Sequence, residues 1–186
     1  MSHVEQTTMF SVPLFKVKME QWNILKELIV SIIGDSSYFV DYGNHQTDYS
    51  YDHQGEHSKP YNSYSVPIWD LIRPQLSKVF EDLGLPVSSD FIPSMWSQKY
   101  HKGSHHSIHH HGPKGYSCVL YVKFNPEVHQ GTRFLAPFNN FVNGDILWYI
   151  PEVEEGDLII FPSSILHESP SQPVDEERMI LSFNFH

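Results

Sequence analysis

From Phe91 to the C-terminus, short runs rich in β-branched and aromatic residues alternate with clusters of turn formers. That alternation restricts the chain to a sandwich, barrel or jelly roll. The expected strands are Phe91–Tyr100, Ser107–His111, Tyr116–Phe124, Thr132–Leu135, Ile146–Ile150, Asp157–Phe161, Leu166–Glu168 and Arg178–Phe185. Between them stand Gly112-Pro113-Lys114-Gly115, Asn125-Pro126, Asn143-Gly144, Glu155-Gly156 and the segment Pro170–Pro173. The acidic stretch Glu152–Asp157 reads as a solvated turn, with too few carboxylates in register for a calcium loop.

The first half has a different period. Phe10–Phe15 reads as a short strand. Met19–Ile33 carries apolar residues at Trp22, Leu25, Leu28, Ile29 and Ile32, which is helical spacing, and Gly34-Asp35-Ser36-Ser37 should end it. Val66–Leu83 repeats the pattern through Ile68, Leu71, Ile72, Leu76, Val79, Phe80 and Leu83, and Gly84 closes it. Between the helices, Asp41–Asn62 has no period and is expected to be a long loop, either a lid or a plain surface excursion. No repeat or linker divides the 186 residues, so the expectation is one domain: a helical part (1–90) packed on one face of a β core (91–186).

Composition narrows the function. With 40% hydrophobic and 14% aromatic residues the chain can build a core. A formal charge of −10 argues against nucleic-acid and anionic-membrane partners. No window approaches the roughly 18 apolar residues of a spanning helix. Met1–Ser11 lacks a basic region followed by an apolar one, so a cytoplasmic protein is expected. The single cysteine, Cys118, lies in an apolar run and reads as a core residue. Oligomeric state leaves no trace in the sequence.

Histidine is the compositional outlier: six of thirteen fall between His101 and His111. In a strand, residues i and i+2 share a face, so His109 and His111 point one way and His110 the other. Two imidazoles so placed can converge on iron, copper, nickel or zinc. His-x-His alone is weak, because an exposed strand end can look the same. The distant partner strengthens it. His167 follows the apolar run Leu158-Ile159-Ile160-Phe161-Pro162, where an isolated histidine needs a reason. His101, His105 and His106 read as solvated rather than as mouth-lining residues, and Trp96 and Trp148 as core. Arg178 opens an alternating strand in which Arg178, Ile180, Ser182 and Asn184 share one face and Met179, Leu181, Phe183 and Phe185 the other.

Two families carry this arrangement. Gly103, five residues and His109-x-His111, then Gly156, five residues, Pro162 and His167, resemble the two cupin signatures. The Glu that follows in cupins is missing, and Ser164 stands where Gly is usual. The chain resembles more closely the 2-oxoglutarate/Fe(II)-dependent oxygenases, particularly small bacterial and phage-borne members. The landmarks are Trp96, Tyr100, Gly103, His109-His110-His111, Ser117-Cys118-Val119-Leu120-Tyr121, Phe161-Pro162-Ser163…His167 and Arg178. Both resemblances imply a double-stranded β-helix (jelly roll).

The closer one implies a dioxygenase that hydroxylates an unidentified substrate and releases succinate and CO2. It implies Fe(II) on His109, His111 and His167 as the catalytic metal. It implies 2-oxoglutarate docked by its far carboxylate on Arg178, with Tyr121, Tyr100 and Ser182 as further contacts, and dioxygen as the third reactant. A guanidinium suits that carboxylate because it is a fixed cation with a bidentate fork. The chain departs from the family at His111, where a carboxylate is usual. Imidazole fills the space that halogenases leave open for chloride, so halogenation is not expected. Glu168 adjoins His167, should face away from it, and is a poor substitute ligand. Two other readings drop the role of Arg178: a cupin-type three-histidine dioxygenase acting without 2-oxoglutarate, and a non-enzymatic, metal-stabilised jelly-roll module.

Overall fold

The computed structural model describes residues 5, 7–8, 10–36, 39–49, 62–84 and 93–185. Eleven strands lie in this part: β1 (Phe15–Lys18), β2 (Val40–Asp41), β3 (Gln46–Thr47), β4 (Ser94–Tyr100), β5 (His106–His109), β6 (Tyr116–Lys123), β7 (Arg133–Asn139), β8 (Ile146–Tyr149), β9 (Asp157–Pro162), β10 (His167–Ser169) and β11 (Arg178–Phe185). The helices are α1 (Trp22–Ser36), α2 (Ser65–Ile72) and α3 (Ser77–Leu83), the last two joined by a 3-10 turn, Arg73–Leu76. Every described pairing is antiparallel. A major sheet runs β1-β9-β6-β11-β4-β3-β2 and a minor sheet β5-β10-β7-β8. This is the double-stranded β-helix that both resemblances imply, one of the architectures the strand spacing allows.

Side-chain alternation builds the layers. Along β11, Met179, Leu181, Phe183 and Phe185 face the helices and pack with Leu25, Ile29, Ile33, Ile68, Trp69 and Phe80. Arg178, Ile180, Ser182 and Asn184 face the minor sheet. Val119, Tyr121, Phe134, Ile159, Phe161 and Ile180 form a second apolar cluster between the sheets. The major sheet is therefore buried on both faces, which explains the nearly continuous apolar runs of β6 and β9.

Several expectations shift. The N-terminal strand is Phe15–Lys18 rather than Phe10–Phe15 and pairs with β9 as the edge of the major sheet. Pro13 has no N–H for a ladder, whereas Phe15 and Val17 turn inward and Lys16 and Lys18 outward. Helix α1 begins three residues later than expected and runs through Gly34, because its buried stripe is Leu25, Ile29 and Ile33; Leu28 is exposed. The second helix breaks at the 3-10 turn containing Pro74, which cannot donate to the preceding turn. Gly84 does close α3, in the left-handed conformation (φ 63°), its N–H reaching Glu81 and Phe80 carbonyls. Most of the loop expected over residues 41–62 lies outside the described residues, as do Phe91, Ile92 and His186. Its described part contains β2 and β3, with β3 paired to β4.

The acidic turn is not merely solvated. Asp157 is buried and pairs with Lys18. Glu155 accepts from Trp22 Nε1, Lys26 Nζ and the Phe124 N–H. Trp22 closes over Gly156, whose φ is +84°, and a Cβ there would stand 2.7 Å from Trp22 Cγ. Gly156→Ala combines a left-handed backbone with a clash, so it should destabilise the protein by about 2–4 kcal/mol in a denaturant titration. A loss under about 0.5 kcal/mol, the scale of an ordinary surface change, would show that Trp22 yields freely.

Candidate metal centre

The short strands β5 and β10 set the site. They pair so that His167 stands opposite His109. His111 is not on a strand: β5 stops at His109, and the chain turns through Gly112 at φ 118°. Strand alternation from His109 to His111 would need two more strand residues. His111 arrives instead because its N–H bonds the Ser163 carbonyl at 2.9 Å, at the end of β9. The three imidazoles still meet, each offering a ring nitrogen within 4.8 Å of the others. Trp96 packs beside His111 at 5.5 Å, and Phe161 beside His167 at 4.8 Å, between ring centroids.

Hydrogen bonds choose the tautomers. His109 Nδ1 lies 2.7 Å from the Ser107 carbonyl, and His167 Nδ1 lies 2.9 Å from that of Ile165. A carbonyl oxygen only accepts, so both Nδ1 atoms carry the proton. Nε2 is left as a lone pair for a metal. Burial, with His109 as neighbour, pushes His167 down to about 4. Burial also holds His109 below the ordinary histidine range. Burial, reinforced by His109, takes His106 to about 3. Neutral imidazoles at neutral pH are what a metal site requires.

The same shifts fix an acid response. Below the ordinary 6.5 the unfolded chain gains protons that folded His167 refuses until about 4. The metal-free protein should be most stable above that ordinary value and lose stability as pH falls toward the lower one. Thermal midpoints measured across this range check the prediction; a flat profile would refute it.

Arg178 is fully buried at the start of β11, opposite Tyr100 in β4. Its guanidinium lies over the Tyr100 ring at 4.7 Å, with Tyr121 at 5.8 Å, and Nη1 donates to Ser169 Oγ at 2.6 Å. Nε and Nη2 have no partner among the described residues. The acidic neighbour Glu177 is taken by Lys123 at 2.7 Å.

Tyr100 and Ser182 are buried and line the inter-sheet cavity that the three histidines also line. Tyr121 is buried too, but its hydroxyl donates to Thr132 Oγ1 at 3.0 Å and accepts from the Thr132 N–H at 3.1 Å. Glu168 is held by Arg133, away from metal duty. His106, read as solvated, lines the cavity instead; it stacks on His109 at 4.1 Å, and its Nδ1 lies 3.1 Å from Gln98 Nε2. Trp148 is 40% exposed under the Arg133 guanidinium, so it is not core. Cys118 is buried, which raises its thiol pKa and makes it inert. Ser169, Thr132 and Asn184 were not singled out by sequence. Ser169 carried a signal, standing at i+2 from His167, and Asn184 shares the Arg178 face.

Residues 94–184 match the model of a family described as "Putative 2OG-Fe(II) oxygenase". Over this stretch the β core is similar to the 2OG-Fe(II) oxygenase family. No curated protein matches the chain in sequence. Among solved structures, a Pseudomonas putida prolyl-4-hydroxylase superposes with a TM-score of 0.55 and 16% identity, over 93% of this chain and 92% of that one. HygX from Streptomyces hygroscopicus, crystallised with nickel, 2-oxoglutarate and hygromycin B, gives 0.61 and 11%, over 93% and 82%. The α-ketoglutarate-dependent epimerase SnoN of nogalamycin biosynthesis gives 0.63 and 11%, over 92% and 76%. At such identities the likeness is one of fold. No described helix of the chain is long and apolar enough to cross a membrane.

Proposed function

We propose that residues 1–186 form one 2-oxoglutarate- and Fe(II)-dependent dioxygenase domain that hydroxylates a substrate not yet identified. The observation that carries this is Arg178. A guanidinium buried completely, with two of its three nitrogens unpartnered among the described residues, is costly unless an anion completes it. It lies on the inward face of β11, the face that also supplies Ser182 and Asn184 to the cavity of the three histidines. A dicarboxylate whose oxo-acid end meets a metal fits both features. The cupin-type alternative and the structural module give this arginine no task.

His109, His111 and His167 would hold the iron. They fit it by type, by convergence and by tautomer, and they supply three neutral donors where two histidines and a carboxylate are usual. Iron so held would supply the oxidising chemistry that couples decarboxylation of 2-oxoglutarate, to succinate and CO2, with dioxygen-driven hydroxylation.

The protein's own contribution is binding and exclusion. Arg178 receives the far carboxylate through Nε and Nη2, and Ser169 holds Nη1 so that the fork keeps its plane. Ser182 and Tyr100 border that carboxylate; Tyr121 joins if its hydroxyl proton turns from Thr132. Trp96 and Phe161 keep water from the imidazoles.

The test is anaerobic titration of the Fe(II)-loaded protein with 2-oxoglutarate, followed by aerobic turnover. A visible charge-transfer band that saturates, then succinate formed with oxygen consumed, is expected. Oxygen uptake that ignores 2-oxoglutarate would move the protein to the cupin-type reading.

A further inference from the structure

Two of the three histidines share one device. His109 and His167 each give Nδ1–H to the backbone carbonyl two residues upstream. His111 has left the strand, and its Nδ1 faces the side chain of Asn184, with Nδ2 at 3.4 Å. Asn184 Oδ1 is buried and has no partner among the described residues.

The orientation matters chemically. An amide N–H donated to Nδ1 requires a lone pair there, which puts the proton of neutral His111 on Nε2. With Nδ1 turned to Asn184, Nε2 is the nitrogen left for the cluster, and a protonated nitrogen does not ligate. A half-turn of the carboxamide about Cβ–Cγ swaps Oδ1 and Nδ2 in place. Oδ1 then accepts Nδ1–H, and the Nε2 lone pair is restored. One end of the amide is unpartnered either way, so the contact with His111 decides which way it points.

We propose that Asn184 is the positioning residue of the third ligand, its Oδ1 accepting the Nδ1–H of His111 when a metal is bound. The inference rests on the three-histidine reading of the site. It also explains a pairing of residue types. A carboxylate at position 111 would have no tautomer to fix. An imidazole does, and the inward face of β11 brings the Asn184 amide to it.

The test uses the full chain loaded with Zn(II), a diamagnetic ion suited to three neutral imidazoles. Imidazole N–H protons are observed by nitrogen-edited NMR, and Zn(II) affinity by chelator competition. The wild type should show three solvent-protected Nδ1–H protons, one for each ligand. Asn184→Leu, similar in shape but without an acceptor, should lose the His111 proton, keep the other two, and bind Zn(II) about 10- to 100-fold more weakly. Asn184→Asp should keep the proton. Thermal midpoints of the metal-free variants report any purely structural role, which would lower them without removing the His111 signal. A protected His111 proton in Asn184→Leu, or none in the metal-bound wild type, overturns the proposal. A wild type that takes up neither Zn(II) nor Fe(II) instead removes the metal reading itself, and this inference with it.

Discussion

Arg178→Met is expected to abolish useful 2-oxoglutarate binding while making the empty protein more stable. The two effects have one cause. Arg178 is wholly buried with Nε and Nη2 unpartnered among the described residues. Desolvating it costs free energy that nothing in the empty protein returns, and replacing a buried ion with an apolar side chain of similar length often gains about 1–4 kcal/mol. The lost Ser169 bond offsets part of that gain. With the guanidinium gone, a carboxylate entering the same space meets no cation. Truncating one side of such a pair costs about 2–5 kcal/mol, or roughly 30-fold or more in affinity. The charge-transfer titration reads the second effect and thermal melting the first, with Co(II) uptake as the control for an intact metal site. Wild-type affinity for 2-oxoglutarate in this variant would refute the assignment. A lower melting temperature would mean that the guanidinium holds the fold rather than a ligand.

His167→Ala is expected to lose the metal more completely than any neighbouring change. His167 is the most enclosed of the three imidazoles, it stands opposite His109, and the Ile165 carbonyl fixes its tautomer. Losing a ligand should exceed the roughly 100-fold weakening that follows loss of an outer partner. His106→Ala, which removes a ring stacked on His109 but outside the cluster, should stay within about tenfold of wild type. His167→Ala should also lessen the acid-side fall in stability of the metal-free protein, leaving the part that His106 and His109 contribute. Equal metal affinities for these two variants would show that the cluster is not the site.

The strands of the second half were legible because each needed only alternation and a turn former at its ends, and each expected run from Ser107 onward meets a strand of the described part. Edges were harder. β1 is short, half of it is lysine, and its pairing with β9 is a long-range choice that no local pattern records. The second helix read as one stripe because periodicity is blind to the missing N–H of Pro74. The three histidines were legible as a set, but for a partly mistaken reason: His111 is placed by the Ser163 carbonyl, not by strand alternation. Arg178 showed the converse. Asp175, Glu176 and Glu177 directly precede it, and only the fold reveals that Glu177 goes to Lys123 while the guanidinium turns inward. Trp148 and the Glu155–Asp157 turn depend on contacts with Arg133, Trp22 and Lys26, which no sequence window contains.

The two halves of the proposed site stand on unequal supports. His109 and His167 sit on β5 and β10, strands of four and three residues in the minor sheet, whereas Arg178 opens an eight-residue strand in the middle of the major one. Backbone amides around His109 and His167 should therefore trade their protons for deuterium far sooner than those of β11, because short strands breathe by local opening while β11 opens only with the whole core. A molecule that touches both would stitch the looser layer to the firmer one, and the slowed uptake would map its footprint without a view of the ligand.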